Sequence, residues 1–249
     1  MKGVRQAGFT IVEISLFLAI SALLFTIALV GTGSTIRTVR FSDSGRSLEA
    51  YVQKQYDEII NGVNPHLSGD TCTAGVVSSG AQAPGTSDCL LMGKLLIFNQ
   101  NDFKVSTYYI VGTEPANVSL AESDEQLIID YAPKVIPANN VNVYEIPWQA
   151  YASGFKRLGD NVGTNALALI RSPKSTRVLT FTYKELASPP TANLLPIVTN
   201  AANRNKTVNF CIKNADGQGS PAKLVVAPTS TQNAVQISFD ASDTECNGA

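Results

Sequence analysis

Between Ile14 and Val30 the chain runs for seventeen residues without a charge, ISLFLAISALLFTIALV, and only Ser15, Ser21 and Thr26 interrupt its apolar character. Counted from Phe9 to Val30 the stretch holds 22 residues. As a helix rising ~1.5 Å per residue it covers about 33 Å, which matches a hydrocarbon core of roughly 30 Å. A buried helix of a soluble domain has the same composition, but a run this close to the first residue seldom serves as one. A cleaved secretory signal has an apolar region of ~7–15 residues that ends at a small-residue site. Here the run is longer, and its flank GTGSTIRTVR offers no A-x-A site. The segment is expected to stay attached and to span a membrane.

Composition narrows the function classes. The 249 residues carry 19 basic and 20 acidic side chains, a net charge of −1, and only 16% are charged, against ~25% in ordinary soluble domains. Near-neutrality argues against a generally polyanion-binding protein. A single histidine, His66, and four cysteines leave too few ligands for multi-histidine metal sites. Any Ser/His/Asp triad would have to use His66. No P-loop, G-x-S-x-G, H-E-x-x-H or G-x-G-x-x-G sequence is present, so neither a catalytic residue nor a cofactor is expected.

One carboxylate, Glu13, interrupts the apolar stretch near its start. A carboxylate in hydrocarbon costs several kcal/mol unless it is paired or neutralised. Before it stands Gly8-Phe9-Thr10-Ile11-Val12-Glu13, preceded by a short leader, MKGVRQAG, with Lys2 and Arg5. This arrangement resembles the class III signal of type IV pilins and pseudopilins over about the first 30 residues. One departure is Gln6-Ala7, where many members carry a basic residue nearer the glycine. The resemblance implies cleavage between Gly8 and Phe9, N-methylation of Phe9, and Glu13 as the fifth mature residue. It also implies that Glu13 pairs with the N-terminal amine of a neighbouring subunit during filament assembly. Helix geometry agrees, since Phe9 and Glu13 lie one turn apart, about 6 Å along the axis. A carboxylate near a helix N-terminus is also favoured by the macrodipole.

Beyond the span, Gly31 and Gly33 loosen the helix. A 3.6-residue pattern then resumes through Ile36, Val39, Leu48, Val52, Tyr56 and Ile59, is weakened at Gly45, and ends at Asn61-Gly62. Loop-forming residues dominate NPHLSGDTCTAGVVSSGAQAPGTSDC, read as a surface loop. Strands are expected over Leu90–Asn99, Lys104–Val111, Gln126–Tyr131, Asn142–Ile146, Ala166–Arg171, Arg177–Lys184, Lys206–Lys213, Lys223–Ala227 and Ala234–Phe239. The near-helical spacing of Trp148, Tyr151 and Phe155 suggests a short packing helix. Cys72, Cys89, Cys211 and Cys246 all follow the span, an even number in a segment expected outside the cytoplasm. Three pairings are possible, and sequence order favours Cys72–Cys89 with Cys211–Cys246. No C-x-x-C occurs. The fold class is therefore α+β, a long N-terminal helix on an antiparallel β-sheet head, as in pilins.

Charge is unevenly spread. From Tyr151 to Lys213 stand Lys156, Arg157, Arg171, Lys174, Arg177, Lys184, Arg204, Lys206 and Lys213 against only Asp160 and Glu185. From Glu114 to Glu145 the balance reverses. Complementary patches on stacked subunits would give register; the charges could instead be scattered and solvated, or a basic face could hold DNA phosphates or another anionic surface. The closing residues, from the Cys211 strand to Cys246, are similar to the last strands of minor pseudopilins of the FimT/GspH type. Some of these bind DNA through Gly-Arg-x-Arg, but the corresponding Ser230-Thr231-Gln232-Asn233 has no arginine. Asp240, Asp243 and Glu245 cluster beside Cys246, where some pseudopilins hold calcium; the EF-hand pattern is absent.

The expected organisation is a leader over 1–8, a transmembrane and polymerisation helix over 9–31, an amphipathic half-helix over 32–61, and a β-rich head over 62–249. The resemblance implies a single-pass protein of the bacterial cytoplasmic membrane with its head outside, later part of a surface or periplasmic filament. The implied partners are other pilin subunits, a prepilin peptidase and methyltransferase, and an assembly platform with its ATPase. The large head points to a minor pilin or pseudopilin. The competing expectation is a membrane-anchored adhesin or DNA-uptake receptor that uses the basic 156–213 stretch.

Overall fold

Helix α1 runs without a break from Ile11 to Ile60. Gly31 and Gly33 do not interrupt it, although each costs about 1 kcal/mol against alanine. It stops where Gly62 turns left-handed at φ 64°. There the amides of Asn61 and Gly62 close on the carbonyls of Asp57 and Ile59, at 2.9 and 3.1 Å. The structure, a computed structural model, describes residues 10–62, 70–73, 76–80, 89–116, 123–136, 142–160, 162–186, 190–217, 219–228 and 234–246. The chain divides into two compact units, Met1–Ser42 and Asp43–Ala249.

In the first unit the apolar side chains of α1 are exposed, from Ile11 at 84% to Leu29 at 56%. In the second unit the same helix buries Leu48, Val52, Tyr56 and Ile59, worth about 1.5–3 kcal/mol each in apolar burial. These are the expected apolar stripe. Ile36 and Val39, read as part of it, remain exposed, so the buried seam is confined to the C-terminal part of the helix. Gly45 allows a close approach: a Cβ there would lie 2.6 Å from Ile237 Cδ1 and 2.7 Å from Phe239 Cε1.

Among the described residues three antiparallel sheets follow. The segment read as a loop before Cys89 contains a small hairpin, β1 (Asp70–Thr73) with β2 (Val76–Ser79); β-branched Thr71, Thr73, Val76 and Val77 favour the extended chain. The main sheet is built from β3 (Cys89–Phe98), β4 (Lys104–Thr113), β5 (Lys134–Val135), β6 (Asn142–Glu145), β8 (Ala166–Arg171) and β9 (Val178–Tyr183). Its order is β5-β4-β3-β8-β9, with β6 on β4 beside β5. The second sheet is β12-β11-β10-β7, from β7 (Tyr151–Arg157), β10 (Val208–Lys213), β11 (Ala222–Val226) and β12 (Val235–Ser238). Phe98 stacks on Phe210 with ring centroids 4.1 Å apart, joining the two sheets.

Alternation along β3 divides the core. Leu95 and Ile97 join Ile110, Ala168, Ile170, Leu179 and Phe181 in one cluster with Ile128 of α2 (Asp124–Asp130) and Val198 of α3 (Leu195–Thr199). Lys94 meets α1, and Thr107 of β4 bonds to Tyr51 of the helix at 2.7 Å. At the β3 bulge between Leu91 and Gly93 any side chain on Gly93 would strike the Leu169 carbonyl.

Two expected elements differ. Gln126–Tyr131 is not a strand but most of α2, because Ser123 caps it by accepting from the Gln126 amide at 3.2 Å. Asp124 and Glu125 also lie at the positive helix end. The helix expected around Trp148–Phe155 is a single tight turn, Pro147–Gln149, followed by β7. Small inward residues Ala152 and Gly154 carry the period-2 pattern there, and they give no apolar signal in sequence.

Candidate functional site

Glu13 lies in the first turn of α1, within an apolar window, Ile11–Leu29, that is long enough to cross a membrane. A signal sequence meets the same measure of length and composition. The Glu13 carboxylate Oε2 accepts from the Thr10 amide and from the Thr10 hydroxyl, both at 2.9 Å. In return the Glu13 amide donates to Thr10 Oγ1 at 3.3 Å. This reciprocal pair is a capping box, T-x-x-E, which satisfies donors that the first helical turn leaves open. Glu13 thus has a local role that its position in an apolar run did not suggest. Gly8 and Phe9 lie outside the described residues.

Several basic residues of the 156–213 stretch are engaged within the chain. Lys156 donates to the Thr244 carbonyl at 2.8 Å. Arg157 is buried, 6% exposed. Its guanidinium binds Asp160 at 2.8 Å, the Thr182 carbonyl at 3.1 Å and Asn203 Oδ1 at 3.0 Å. That hydrogen bonding holds the Asp160 carboxyl below its usual range, and Lys206 adds to the field there. Arg204 approaches Glu125 at 3.9 Å. Part of the complementarity between acidic and basic stretches is therefore satisfied inside one chain.

Arg171, Lys174 and Arg177 gather separately, on the hairpin between β8 and β9. Ser172, at the foot of this hairpin, donates to Asp124 at 2.6 Å and accepts from the amides of Lys174 and Ser175. The Ser172 bond holds the Asp124 carboxyl below its usual range, opposed by partial desolvation.

The cysteines form Cys72–Cys89 and Cys211–Cys246, the pairing favoured by order. The second fastens α4 (Asp243–Cys246) to β10. The proposed calcium residues serve that attachment. Asp243 pairs with Lys213 at 2.9 Å, and Glu245 pairs with Lys223 at 2.6 Å while accepting from the Ser242 amide at 2.9 Å. Asp240 is exposed. Among the described residues no three His, Cys, Asp or Glu side chains are placed to share a metal ion.

A polar group beneath α1 was not anticipated. Lys94, with its side chain 3% exposed, donates to Gln55 Oε1 at 2.7 Å and to Glu58. Its ammonium also lies 5.5 Å from the centre of the Tyr109 ring. The available signal was a lysine inside the apolar strand LLMGKLLIF. Beside it opens a cavity of about 210 Å³ between the end of α1 and the β3 bulge. No protein-family model, curated protein or solved structure matches the chain.

Proposed function

We propose that the chain is a structural subunit of a type IV pilus-like filament, a minor pilin or pseudopilin, and contributes no catalysis. The observation that carries this reading is the lone Glu13 in the exposed, otherwise uncharged Ile11–Leu29 window of α1, four residues after Phe9 and following a basic leader that ends in Gly8. The continuous α1, exposed over Ile11–Leu29 and packed on β-sheet through Leu48–Ile59, supports it, as do two disulfides in the part that would lie outside the cytoplasm.

In this mechanism the chain enters the bacterial cytoplasmic membrane with its head outside, and a peptidase removes residues 1–8. The new Phe9 amine is methylated. Charge burial then drives order: a carboxylate costs about 2.5–3.5 kcal/mol at the centre of a membrane helix, less near its end. Pairing Glu13 with the amine of a neighbouring subunit removes that cost while apolar helices bury one another. Thr10 holds the carboxylate at the helix start until that pairing forms. An assembly platform and its ATPase would supply the work of extraction.

Mass spectrometry of the N-terminus in sheared surface filaments tests the reading. The expected species begins at N-methyl-Phe9. An intact leader, or a terminus created beyond the apolar run, would overturn it.

A further inference from the structure

The cavity at the end of α1 has a charge imbalance. Lys94 and Arg171 line it against the single carboxylate of Glu58, with Ile59, Leu91 and Met92 among the apolar walls. Glu58 already accepts from Lys94, and Lys54 approaches it at 3.8 Å. Arg171 is half-buried, and its guanidinium makes no hydrogen bond or ion pair with any described residue. It packs against the chain reversal, its Nη1 2.8 Å from where a Cβ on Gly62 would stand.

Helix capping does not account for this cation. The last turn of α1 has no basic residue of its own, yet the carbonyls of Asp57 and Ile59 are already taken by the amides of Asn61 and Gly62. A partly desolvated guanidinium with five donors and no acceptor calls for one, and its planar fork suits a carboxylate bound through both oxygens. The apolar walls suit a short hydrocarbon body. We propose that this cleft binds a carboxylate carried on a small apolar group, held by Arg171 with Lys94 as the buried second cation. The site does not depend on the filament reading.

Backbone amide shifts of Gly62 and Gly93, followed by NMR on the full chain in detergent micelles, test it with three probes. Butyrate represents a free acid, a short acetylated peptide represents a carboxyl terminus presented by another chain, and butyramide is the uncharged control. A saturable shift with butyrate identifies a free small acid as sufficient. A shift with the peptide alone identifies a chain-presented carboxylate. In either case Arg171→Gln weakens binding about tenfold or more, while Lys174→Gln, outside the cleft lining, leaves it unchanged. Should Arg171→Gln fail to fold, Leu91→Phe keeps the charges and narrows the cleft, and is expected to weaken binding similarly. Equal shifts with butyramide, full affinity in the variant that folds, or no saturation by either acid up to about 50 mM would overturn the proposal.

Discussion

Replacing Arg157 by alanine would remove the donor from the Thr182 carbonyl and from Asn203 Oδ1 inside the head. A buried acceptor left without its partner costs about 1–3 kcal/mol. Asp160, 35% exposed, keeps access to water and adds little to that loss. We expect Arg157→Ala to lower the denaturant midpoint accordingly, and Arg157→Lys to recover only part of it because an ammonium cannot span the same three partners. Glu245 gives a pH prediction. The Lys223 hydrogen bond, aided by the Ser242 amide, lowers its carboxyl from 4.5 to about 2. A carboxyl depressed in the folded state contributes stability that is complete above 4.5 and is lost as pH falls through about 2. Protection of the Ser242 amide, taken relative to its intrinsic exchange rate at each pH, should therefore fall across that window, and Glu245→Gln should flatten the dependence. An unchanged acid profile in that variant would remove Glu245 from the account. Neither residue's role was legible beforehand: Arg157 and Glu245 read as members of a basic stretch and an acidic cluster, and sequence proximity says nothing of partners such as Asn203 or Lys223 that the fold brings from elsewhere.

At the scale of elements, Gly45 separates propensity from packing. As a glycine inside a helix it costs about 1 kcal/mol against alanine, but its missing Cβ lets β12 approach. Alanine there meets only the flexible end of Ile237 and the Phe239 ring edge, so the gain in propensity offsets the crowding and the net change is small. Leucine has no such room, and Gly45→Leu should destabilise the head by about 1–3 kcal/mol, read from its thermal midpoint. A midpoint equal to wild type would mean that α1 and β12 are not in close contact. The long helix and most strands were legible because their apolar periods are strong, as in Leu90–Phe98 and Val178–Tyr183. The misread elements share a cause. In α2 a Ser123 cap outweighs the extended appearance of Gln-Leu-Ile-Ile, and in β7 glycine and alanine fill the inward positions. The candidate site was legible in part: Glu13 stood out as a charge in an apolar run, whereas its Thr10 capping partner and the buried Lys94 group required geometry.

For the whole molecule, the central question is what Glu13 does. Two physical roles fit one residue: a cap that completes the first turn of α1, and a charge that pairs with another subunit's amine. Glutamine separates them, since its side-chain oxygen can still accept from the Thr10 amide in a capping box but carries no charge. The direct measurement is the amount of chain in sheared surface filaments from cells producing wild type, Glu13→Gln or Glu13→Ala at equal membrane levels. The filament account predicts that glutamine fails as alanine does, with incorporation reduced at least about tenfold, as expected for losing a desolvated charge pair. Normal incorporation of Glu13→Gln alongside failure of Glu13→Ala would contradict it, leaving Glu13 as a cap of a membrane helix and nothing more.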